Sequence, residues 1–168
     1  MRLTRIVFEV HGKKPVYSRE DFEIYGIIKP EELPGFFLEE HFIKIKKVEK
    51  LSDFAVWCDL DNNIEHGGTV VFHPQNHVHL INNGKLTSFI GLDGDTPIAT
   101  CGILDNNGIA SLEFVSVLPD YRKKGVAKAL CKHALVYAFS NGAKVITTRA
   151  IGDGRALCKS LGFHIIVN

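Results

Sequence analysis

The chain has 168 residues, of which 45% are hydrophobic and 23% are charged, and its formal net charge is +1. This length can bury a substantial core in one domain, and the composition is globular rather than disordered or membrane-embedded. No apolar stretch approaches the length that spans a bilayer, and the near-neutral charge gives no case for nucleic acid as the main partner. The four cysteines lack C-x-x-C spacing, which favours free thiols in a reducing cytoplasm: Cys58, Cys101, Cys131 and Cys158.

The N-terminal segment has strand-like patterning and then breaks. Residues Arg2 to Val10 and Asp21 to Ile28 predict strands, and Pro30 and Pro34 interrupt the chain after them. We expect residues 1–40 to form a strand-rich N-terminal extension that packs on a main domain of residues 41–168. Such an extension would add strands to the edge of a sheet or cover a cleft, and an edge built this way would suit a homodimer interface.

The next segment predicts one strand and one helix. Phe42 to Val48 alternates apolar residues with lysines and predicts a strand. A helix is predicted to begin at Leu51 and to end at Asp61-Asn62-Asn63, with Trp57 as a core anchor. Residues Glu65 to Asn83 are rich in histidine, glycine and asparagine, and we expect them to be irregular.

A pair of hairpins is the clearest signal in the middle of the chain. Strands are predicted from Thr87 to Leu92, from Pro97 to Leu104 and from Ile109 to Leu118. The turns between them contain Asp93-Gly94-Asp95 and Asn106-Asn107-Gly108. Asp-Gly and Asn-Gly pairs are strong hairpin signals, so three consecutive antiparallel strands are expected.

A basic loop follows the third of these strands and carries most of the functional information. The strand ends at Pro119, and an amphipathic helix runs from about Val126 to Phe139. The first backbone N–H groups of a helix have no partner within it, and the helix dipole adds positive potential there. Gly125 allows an anion to approach the backbone closely. We therefore expect this loop to hold the diphosphate of a cofactor.

The spacing of the loop decides among known anion-binding motifs. It has neither the three glycines of a dinucleotide-binding fold nor the G-x-x-x-x-G-K-[ST] of a P-loop. It reads R-x-x-G-x-A from Arg122 to Ala127, which resembles the acetyl-CoA loop of the GNAT superfamily of N-acetyltransferases. A second segment, Ala150 to Phe163, is similar to the closing element of that superfamily, and the β-rich run Lys144 to Thr148 lies where the family places its fifth strand.

The resemblance implies both a fold and an activity. The fold is α/β (α+β), with a mixed, mostly antiparallel sheet flanked by helices and a splayed pair of parallel strands that binds acetyl-CoA. The activity is direct transfer of an acetyl group to a primary amine of a small molecule or peptide. The residues that would contact the cofactor lie at the end of the strand and along the loop: Val115, Ser116, Val117, Arg122, Lys123, Lys124, Gly125, Val126, Ala127 and Lys128.

Catalysis of this kind needs a base for the amine and a donor for the oxyanion. The attacking amine must lose a proton, and Glu113, on the strand that enters the loop, is the candidate general base. With strict alternation Glu113 shares a face with Val115 and Val117, and a bulge would move it to the other face. A water chain is the alternative base. By resemblance, a backbone N–H near Val117 stabilises the oxyanion.

The departing thiolate benefits from a proton, and at this position the sequence differs from the family. The family usually has a tyrosine in L-Y-x-x-L-G-F, whereas this chain has Cys158. A thiol has a pKa near that of the leaving thiolate, so Cys158 could donate the proton, although its side chain is shorter. A purely structural role and a nucleophilic role remain open.

A group of histidines invites a metal hypothesis. His66, His73, His77 and His79 lie within one short region, and as a strand this region would place His77 and His79 on one face. No cysteine or carboxylate completes an evident ligand set, so we expect no metal and interpret the region as a loop that faces the acceptor.

Two further functions remain as alternatives to catalysis. A CoA-binding or acyl-CoA-sensing domain without turnover would keep the loop and lose the catalytic groups, which is where Cys158 departs from the family. A nucleic-acid-binding domain using the basic loop is the more remote reading, and salt-dependent binding to generic DNA or RNA would identify it.

Overall fold

A computed structural model describes residues 26–33, 43–150 and 152–165 of the chain. Seven strands are defined: β1 Gly26–Ile28, β2 Lys44–Lys47, β3 Leu86–Asp93, β4 Thr96–Asn106, β5 Ile109–Val117, β6 Val145–Thr148 and β7 His164–Ile165. Four α-helices connect them: α1 Leu51–His66, α2 Pro74–Asn82, α3 Val126–Ser140 and α4 Asp153–Ser160. Single 3₁₀ turns lie at Pro30–Glu32 and Pro119–Tyr121.

The strands form one sheet in the order β2-β3-β4-β5-β6-β1-β7. Neighbouring strands are antiparallel except β5 and β6, which are parallel. A parallel pair needs a crossover connection, and α3 supplies it. The mixed, mostly antiparallel sheet with one parallel pair is the fold class that the family resemblance implied, and it is confirmed.

The core lies on both faces of the sheet. On the face covered by α3 and α4, here called the α3 face, the fully buried side chains include Leu130, Leu135 and Ile146. On the opposite face, the α1 face, Phe54 and Trp57 pack with α2 and β3 residues. Trp57 is fully buried and its indole N–H donates to the Cys101 carbonyl at 3.2 Å, so its predicted role as a core anchor is confirmed.

The two predicted hairpins are present. The turn between β3 and β4 contains Gly94 at φ +58°, and the turn between β4 and β5 contains Asn107 and Gly108 at φ +54° and +85°. Two consecutive residues with positive φ match the twist of the flanking strands, which is why Asn-Gly is favoured there. The local turn signals therefore predicted both hairpins, while the register along the strands also depends on irregularities at Gly91/Leu92 and Thr100/Gly102.

The end of α1 differs from the prediction. Asp61 and Asn62 do not end the helix, which continues to His66 and is capped by Gly67 at φ +58°. Both side chains are buried and bond to other elements instead of competing for the helix backbone. The Asn62 amide donates to the Phe72 carbonyl and its oxygen accepts the Phe72 N–H, each at 3.0 Å.

The segment expected to be irregular contains helix α2. Pro74 occupies the first turn, where its missing N–H costs nothing. Val78, Leu80 and Ile81 pack partly buried against the core of the α1 face. The polar composition concealed a short helix whose apolar residues lie among exposed histidines and asparagines.

Strand β1 belongs to the N-terminal segment and lies inside the sheet. It pairs antiparallel with β6 on one side and with β7 on the other, so it lies one strand in from the edge. Ile28 is fully buried in the core of the α3 face. Residues Gly26–Ile28 therefore lie within the sheet, between β6 and β7. Most of the predicted N-terminal extension lies outside the described residues, so its packing on the main domain stays a prediction.

Some expectations concern residues outside the described ranges. The strand predicted over Arg2 to Val10 lies there, as does most of the one predicted over Asp21 to Ile28. In the described part of the chain, no helix combines the length and the apolar character needed to cross a membrane.

Candidate active site

The loop before α3 presents a row of backbone N–H groups. Gly125, with φ +83°, is the N-cap of α3, and Ala129 donates to its carbonyl at 3.0 Å. The N–H groups of Val126, Ala127 and Lys128 precede this first intrahelical bond, so they are the unpaired donors of the helix N-terminus. With the helix dipole behind them, such donors are suited to a phosphate or diphosphate, which is the ligand that the sequence predicts here.

The basic side chains of the loop are exposed, and two of them have protein partners. The Arg122 Nε donates to the Val117 carbonyl at 3.0 Å, which holds the loop against the end of β5. The Lys123 ammonium donates to Asp153 at 2.7 Å and lowers the pKa of that carboxyl, linking the loop to the start of α4. Lys124 lies 5.6 Å from the centre of the Tyr121 ring.

The positions of these side chains refine the predicted contacts. Arg122 donates a hydrogen bond to β5 and Lys123 donates one to α4. These two side chains therefore use part of their hydrogen-bonding capacity to fix the conformation of the loop. Lys124 and Lys128 are exposed and remain the side chains with charge directed to solvent at the helix N-terminus. The predicted anion site therefore consists of backbone N–H groups with these two exposed lysines beside them.

The parallel strands β5 and β6 part next to this loop. Their pairing runs from Ile109↔Val145 to Leu112↔Thr148, where β6 ends. Strand β5 continues to Val117, so its last five residues pair with β4 on one edge and, within the described residues, with no strand on the other. We call the gap between β5 and β6 beyond this point the splay. It lies where the cofactor cleft was expected.

A bulge in β5 occurs at the splay. Thr100 pairs with Ser116 and Gly102 with Glu113, so β5 has one residue more than β4 between these pairs. Phe114 is at φ +56°, a conformation that is rare for a bulky residue. Its ring packs edge-on against Trp57 at 5.5 Å and Phe72 at 5.2 Å, contacts that hold this conformation.

One N–H group at the end of β5 points towards the splay. Leu118 donates to the Ile98 carbonyl of β4, and successive N–H groups of a strand point to opposite edges. The N–H of Val117 therefore points away from β4. The Val117 carbonyl points the same way, since it accepts the Arg122 bond. The N–H that the family resemblance implies as oxyanion donor thus faces the free edge of β5.

Glu113 lies on the α1 face, beside the splay. Val115 and Val117 pack on the α3 face, so the bulge reverses the alternation and Glu113 does not share their face. Its carboxylate accepts the Ser111 hydroxyl and forms an ion pair with Arg149, whose Nη2 lies 3.0 Å from Oε2. The Glu113 side chain is 13% exposed. Its carboxylate is thus fixed by two partners on the α1 side of the gap.

Cys158 is buried on α4 in the core of the α3 face. It is 4% exposed, and burial raises the pKa of its thiol to about 11, with a hydrogen bond to Thr148 lowering it in part. Thr148 ends β6 and donates to the Leu112 carbonyl, so the thiol lies close to the point where the strands part. A thiol with this pKa stays protonated at neutral pH, which fits a proton donor or a packing role better than a nucleophile.

Sequence reasoning missed a buried aspartate at the same bulge. Asp61 is 1% exposed, and it accepts the Ser116 hydroxyl at 2.9 Å. Burial raises its pKa to about 6, while the Ser116 bond and the nearby His66 imidazole lower it in part. Ser116 was expected to contact the cofactor, but its side chain faces α1. An aspartate on the inner face of a helix is a sequence signal that we interpreted only as a helix end.

The histidine region is helical rather than extended. His77 and His79 lie two positions apart on α2, which puts them on different sides of a helix, so the shared strand face is wrong. The His77 Nδ1 contacts the His73 backbone, and the His79 Nδ1 contacts the Asn76 carbonyl. Within residues 26–33, 43–150 and 152–165, no group of three His, Cys, Asp or Glu side chains could hold a metal ion.

A separate groove of about 690 Å³ lies along the edge strand β2, against α1. Lys44, Lys46 and Asp53 contribute to its lining, and Lys46 donates to Asp53 at 2.8 Å. Strands β3 and β4 separate β2 from β5, so this groove is distinct from the splay.

Comparison with known proteins agrees with this geometry. The family model for the acetyltransferase (GNAT) family matches residues 49–163. A search of curated proteins finds no significant match. Among solved structures, the chain is similar to a predicted acetyltransferase from Clostridium acetobutylicum with acetyl-CoA. The TM-score is 0.62 and the identity 15%, over 73% of this chain and 90% of that one.

Two other solved structures give the same fold. AAC(6')-Iy, in complex with the bisubstrate analog CoA-S-monomethyl-acetylneamine, has a TM-score of 0.62 and 21% identity, over 73% of this chain and 90% of that one. A GCN5-related N-acetyltransferase from Kribbella flavida has a TM-score of 0.62 and 15% identity. It matches 86% of this chain, which spans 55% of that protein's length.

The family model covers more than half of the chain and includes the bulge, the splay and the loop before α3. The structural similarities extend over the same sheet and carry the same parallel pair. The chain therefore belongs to the GNAT family of acetyltransferases.

Proposed function

We propose that this protein is an acetyl-CoA-dependent N-acetyltransferase that transfers the acetyl group directly to a primary amine of a small molecule or peptide. The observation that carries the proposal is the joint position of the α3 N-terminus and the splay. One offers unpaired N–H donors beside Lys124 and Lys128, and the other offers a strand edge with the Val117 N–H directed into a gap.

The residues present fit acetyl-CoA. The N–H groups of Val126, Ala127 and Lys128 would hold the diphosphate, and the free edge of β5 would hold the acyl arm. When bound, acetyl-CoA supplies a thioester carbon that an amine can attack. The Val117 N–H would then stabilise negative charge on the carbonyl oxygen, a contribution that is large in sites closed to water.

The proton steps are assigned to two groups on opposite faces of the sheet. Glu113, on the α1 face, is the candidate that removes a proton from the amine, since it is a held carboxylate next to the gap. Cys158, on the α3 face, is the candidate that returns a proton to the leaving thiolate, because its thiol stays protonated. A small-molecule acceptor is supported by the bisubstrate analog in AAC(6')-Iy.

The cellular setting follows from the thiols. All four cysteines are free and buried. Free thiols persist in a reducing compartment, so we place the protein in the cytoplasm.

The first test is thermal unfolding with acetyl-CoA, CoA, ATP and NADPH. A ligand at a hundred times its Kd stabilises by about 2.7 kcal/mol, which for a domain of this size raises Tm by roughly 5–10 °C. We expect that shift with acetyl-CoA and CoA only. Gly125→Glu should abolish it by placing a carboxylate at the anion site.

Gly142→Glu is the matched control. Gly142 follows the other end of α3, has φ +98°, and has no atom within 4 Å of an added Cβ. This variant adds the same charge with similar backbone strain, so it should keep the shift. If neither CoA ligand raises Tm of the wild-type protein, the cofactor assignment is wrong. Release of the CoA thiol with a panel of amines then tests turnover.

A CoA-binding domain without turnover is the second candidate. It is favoured by one observation, that Cys158 replaces the family's tyrosine and is nearly inaccessible. This candidate predicts the same Tm shift with no amine-dependent release of CoA. Release with any amine in the panel would exclude it.

A further inference from the structure

A buried polar cluster lies on the α1 face of the bulge and is not used by the steps above. It consists of Asp61 and His66 on α1 and Ser116 on β5, and we call it the Asp61 cluster. The Ser116 hydroxyl donates to Asp61 Oδ1 at 2.9 Å, and the His66 Nε2 lies 3.8 Å from Asp61 Oδ2. The Asp61 side chain is 2% exposed and that of His66 is 25% exposed.

A buried carboxylate in this setting is costly. In the described residues its ion-pair partner is an imidazole, which carries charge only when protonated. Glu65 and Cys58 on α1 also face it, and the negative charge of Glu65 adds to the cost. From the sheet, hydroxyls face it, those of Ser116 and Thr100. An apolar residue would pack here without that cost. The contribution that an apolar residue could not make is the hydrogen bond that Asp61 accepts from Ser116.

This hydrogen bond stabilises the segment of β5 beside the splay. This segment has lost β6 as a neighbour, and the bulge interrupts its pairing with β4. Side-chain bonds replace the missing ladder: Thr100 donates to the Phe114 carbonyl and Arg122 to the Val117 carbonyl. Two of these side-chain bonds are charge-assisted and so of the stronger kind, that of the Arg122 guanidinium and that of Ser116 with the Asp61 carboxylate. The Ser116–Asp61 bond is the one that lies buried and next to the Val117 N–H.

We propose that Asp61 is a positioning residue that acts through the Ser116 hydroxyl to fix the direction of the Val117 N–H in the splay. Ser116 immediately precedes Val117, so rotation of the peptide between them moves the N–H directly. This inference rests on the proposed function, in which the Val117 N–H stabilises negative charge on the carbonyl oxygen. Asp61 does not touch substrate in this role.

The ionised carboxylate and the protonated acid would hold Ser116 differently. An ionised carboxylate accepts only, so the Ser116 hydrogen must point to it, whereas a protonated carboxyl can donate. The raised pKa of Asp61, about 6, places this change close to neutral pH. Protonation should therefore loosen the Val117 N–H and lower kcat on the acid side.

The kinetic test uses Asp61→Asn and Ser116→Ala with the double variant. We expect each single variant to lower kcat about tenfold, the equivalent of the extra strength of one charge-assisted bond, with KM for acetyl-CoA changed by less than about twofold. The double variant should be no slower than either single variant, because both remove the same bond. The acid limb of the kcat profile near pH 6 should disappear in Asp61→Asn.

Ser88→Ala is the matched control. The Ser88 hydroxyl is fully buried on β3, and the structure gives it no hydrogen-bond partner. Its removal also deletes one buried hydroxyl from the sheet, so it should leave kcat and the pH profile unchanged. Additive losses in the double variant, or an unchanged acid limb in Asp61→Asn, would overturn the proposal.

A second readout separates this inference from the proposed function. The amide signal of Val117 in ¹H–¹⁵N spectra of the free protein should shift with pH with a midpoint near 6, and this shift should be absent in Asp61→Asn. If the amide titrates and no amine releases CoA, Asp61 fixes the N–H but the proposed transfer is wrong. If amines release CoA and the amide does not titrate, the transfer stands and the role of Asp61 is wrong.

Discussion

The two acidic groups buried near the splay, the Asp61 carboxyl and the Cys158 thiol, owe their raised pKa values to the same cause. Each is removed from water, and the loss of hydration disfavours the charged form. Neighbouring hydroxyls recover part of the cost, from Ser116 for the carboxyl and from Thr148 for the thiol. The consequence differs: the carboxyl titrates near neutrality, while the thiol stays protonated throughout the physiological range.

The carboxyl predicts a stability change with pH. The pKa of Asp61 is raised from 3.8 to about 6 on folding, so the folded state binds this proton more tightly than the unfolded state. The stability from this group is fully present below about pH 4 and is lost as pH rises through about 6. Asp61→Asn removes this titration. Its free energy of unfolding, measured relative to that of the wild type, should therefore rise by up to about 3 kcal/mol between pH 4 and pH 7.

Denaturant unfolding of both proteins at these two pH values measures that gain. A difference in unfolding free energy that is the same at pH 4 and pH 7 would show that Asp61 titrates normally. Asp53→Asn is a useful comparison of opposite sign, because its hydrogen bond with Lys46 lowers the pKa of Asp53. That variant should lose stability relative to wild type as pH rises.

The thiol predicts slow chemical labelling. Cys158 is 4% exposed with a pKa of about 11, so at pH 8 both the thiolate fraction and access are small. We expect Ellman's reagent to label all four thiols at the unfolding rate, and rapidly in denaturant. Labelling of one thiol within seconds in the folded protein, absent in Cys158→Ala, would contradict this.

The same variant tests the proposed proton donor. Cys158→Ala should lower kcat if the thiol protonates the leaving group, and Cys158→Ser should lower it too, since a hydroxyl is a much weaker acid. Turnover unchanged in Cys158→Ala would leave the side chain with a packing role. Both variants need only the CoA-release assay and a melting curve.

At the level of elements, the conformations of α1 and β5 depend on contacts with other elements that their own sequences do not predict. Strand β5 reads as a regular alternation, yet Phe114 adopts φ +56° because its ring is held by Trp57 and Phe72. A left-handed conformation costs an ordinary residue roughly 1–2 kcal/mol, and packing of the ring against these two aromatic side chains can offset that cost. Helix α1 continues past Asp61 and Asn62 because both are bonded to other elements.

Asn62 provides the prediction at this scale. Its side chain makes three hydrogen bonds to the backbone of Val71 and Phe72. Asn62→Ala leaves these buried or half-buried groups without partners, which should lower the unfolding free energy by about 2–3 kcal/mol. The exposed neighbour Asn63→Ala should change it by less than about 0.5 kcal/mol. Equal effects in the two variants would show that the three hydrogen bonds of Asn62 contribute little to the free energy of unfolding.

For the whole molecule, the decisive feature is the place of β1. A strand from the N-terminal segment lies between β6 and β7 and pairs with both. Without it, β6 would be an edge strand paired only with β5, and β7 would have no neighbour among the described strands. We therefore expect β1 to unfold together with the sheet that carries the loop and the splay.

Ile28 tests this dependence. It is fully buried in the core of the α3 face, whereas Ile27 on the same strand is only partly buried. Ile28→Ala should cost about 3 kcal/mol, with Ile27→Ala costing clearly less. We expect a single unfolding transition in both variants. A separate early transition in Ile28→Ala would show that β1 melts independently of the main sheet.

The sequence by itself determined the hairpins, the position of α3 and the glycine-containing basic loop before it. These features depend on local rules: Asn-Gly and Asp-Gly fix turns, and a glycine before an amphipathic run marks a helix start with free N–H groups. Only the tertiary structure decided the bulge at Phe114, the inner role of Asp61 and the insertion of β1. Each of these depends on residues distant in the chain, because burial and long-range pairing can outweigh local preference.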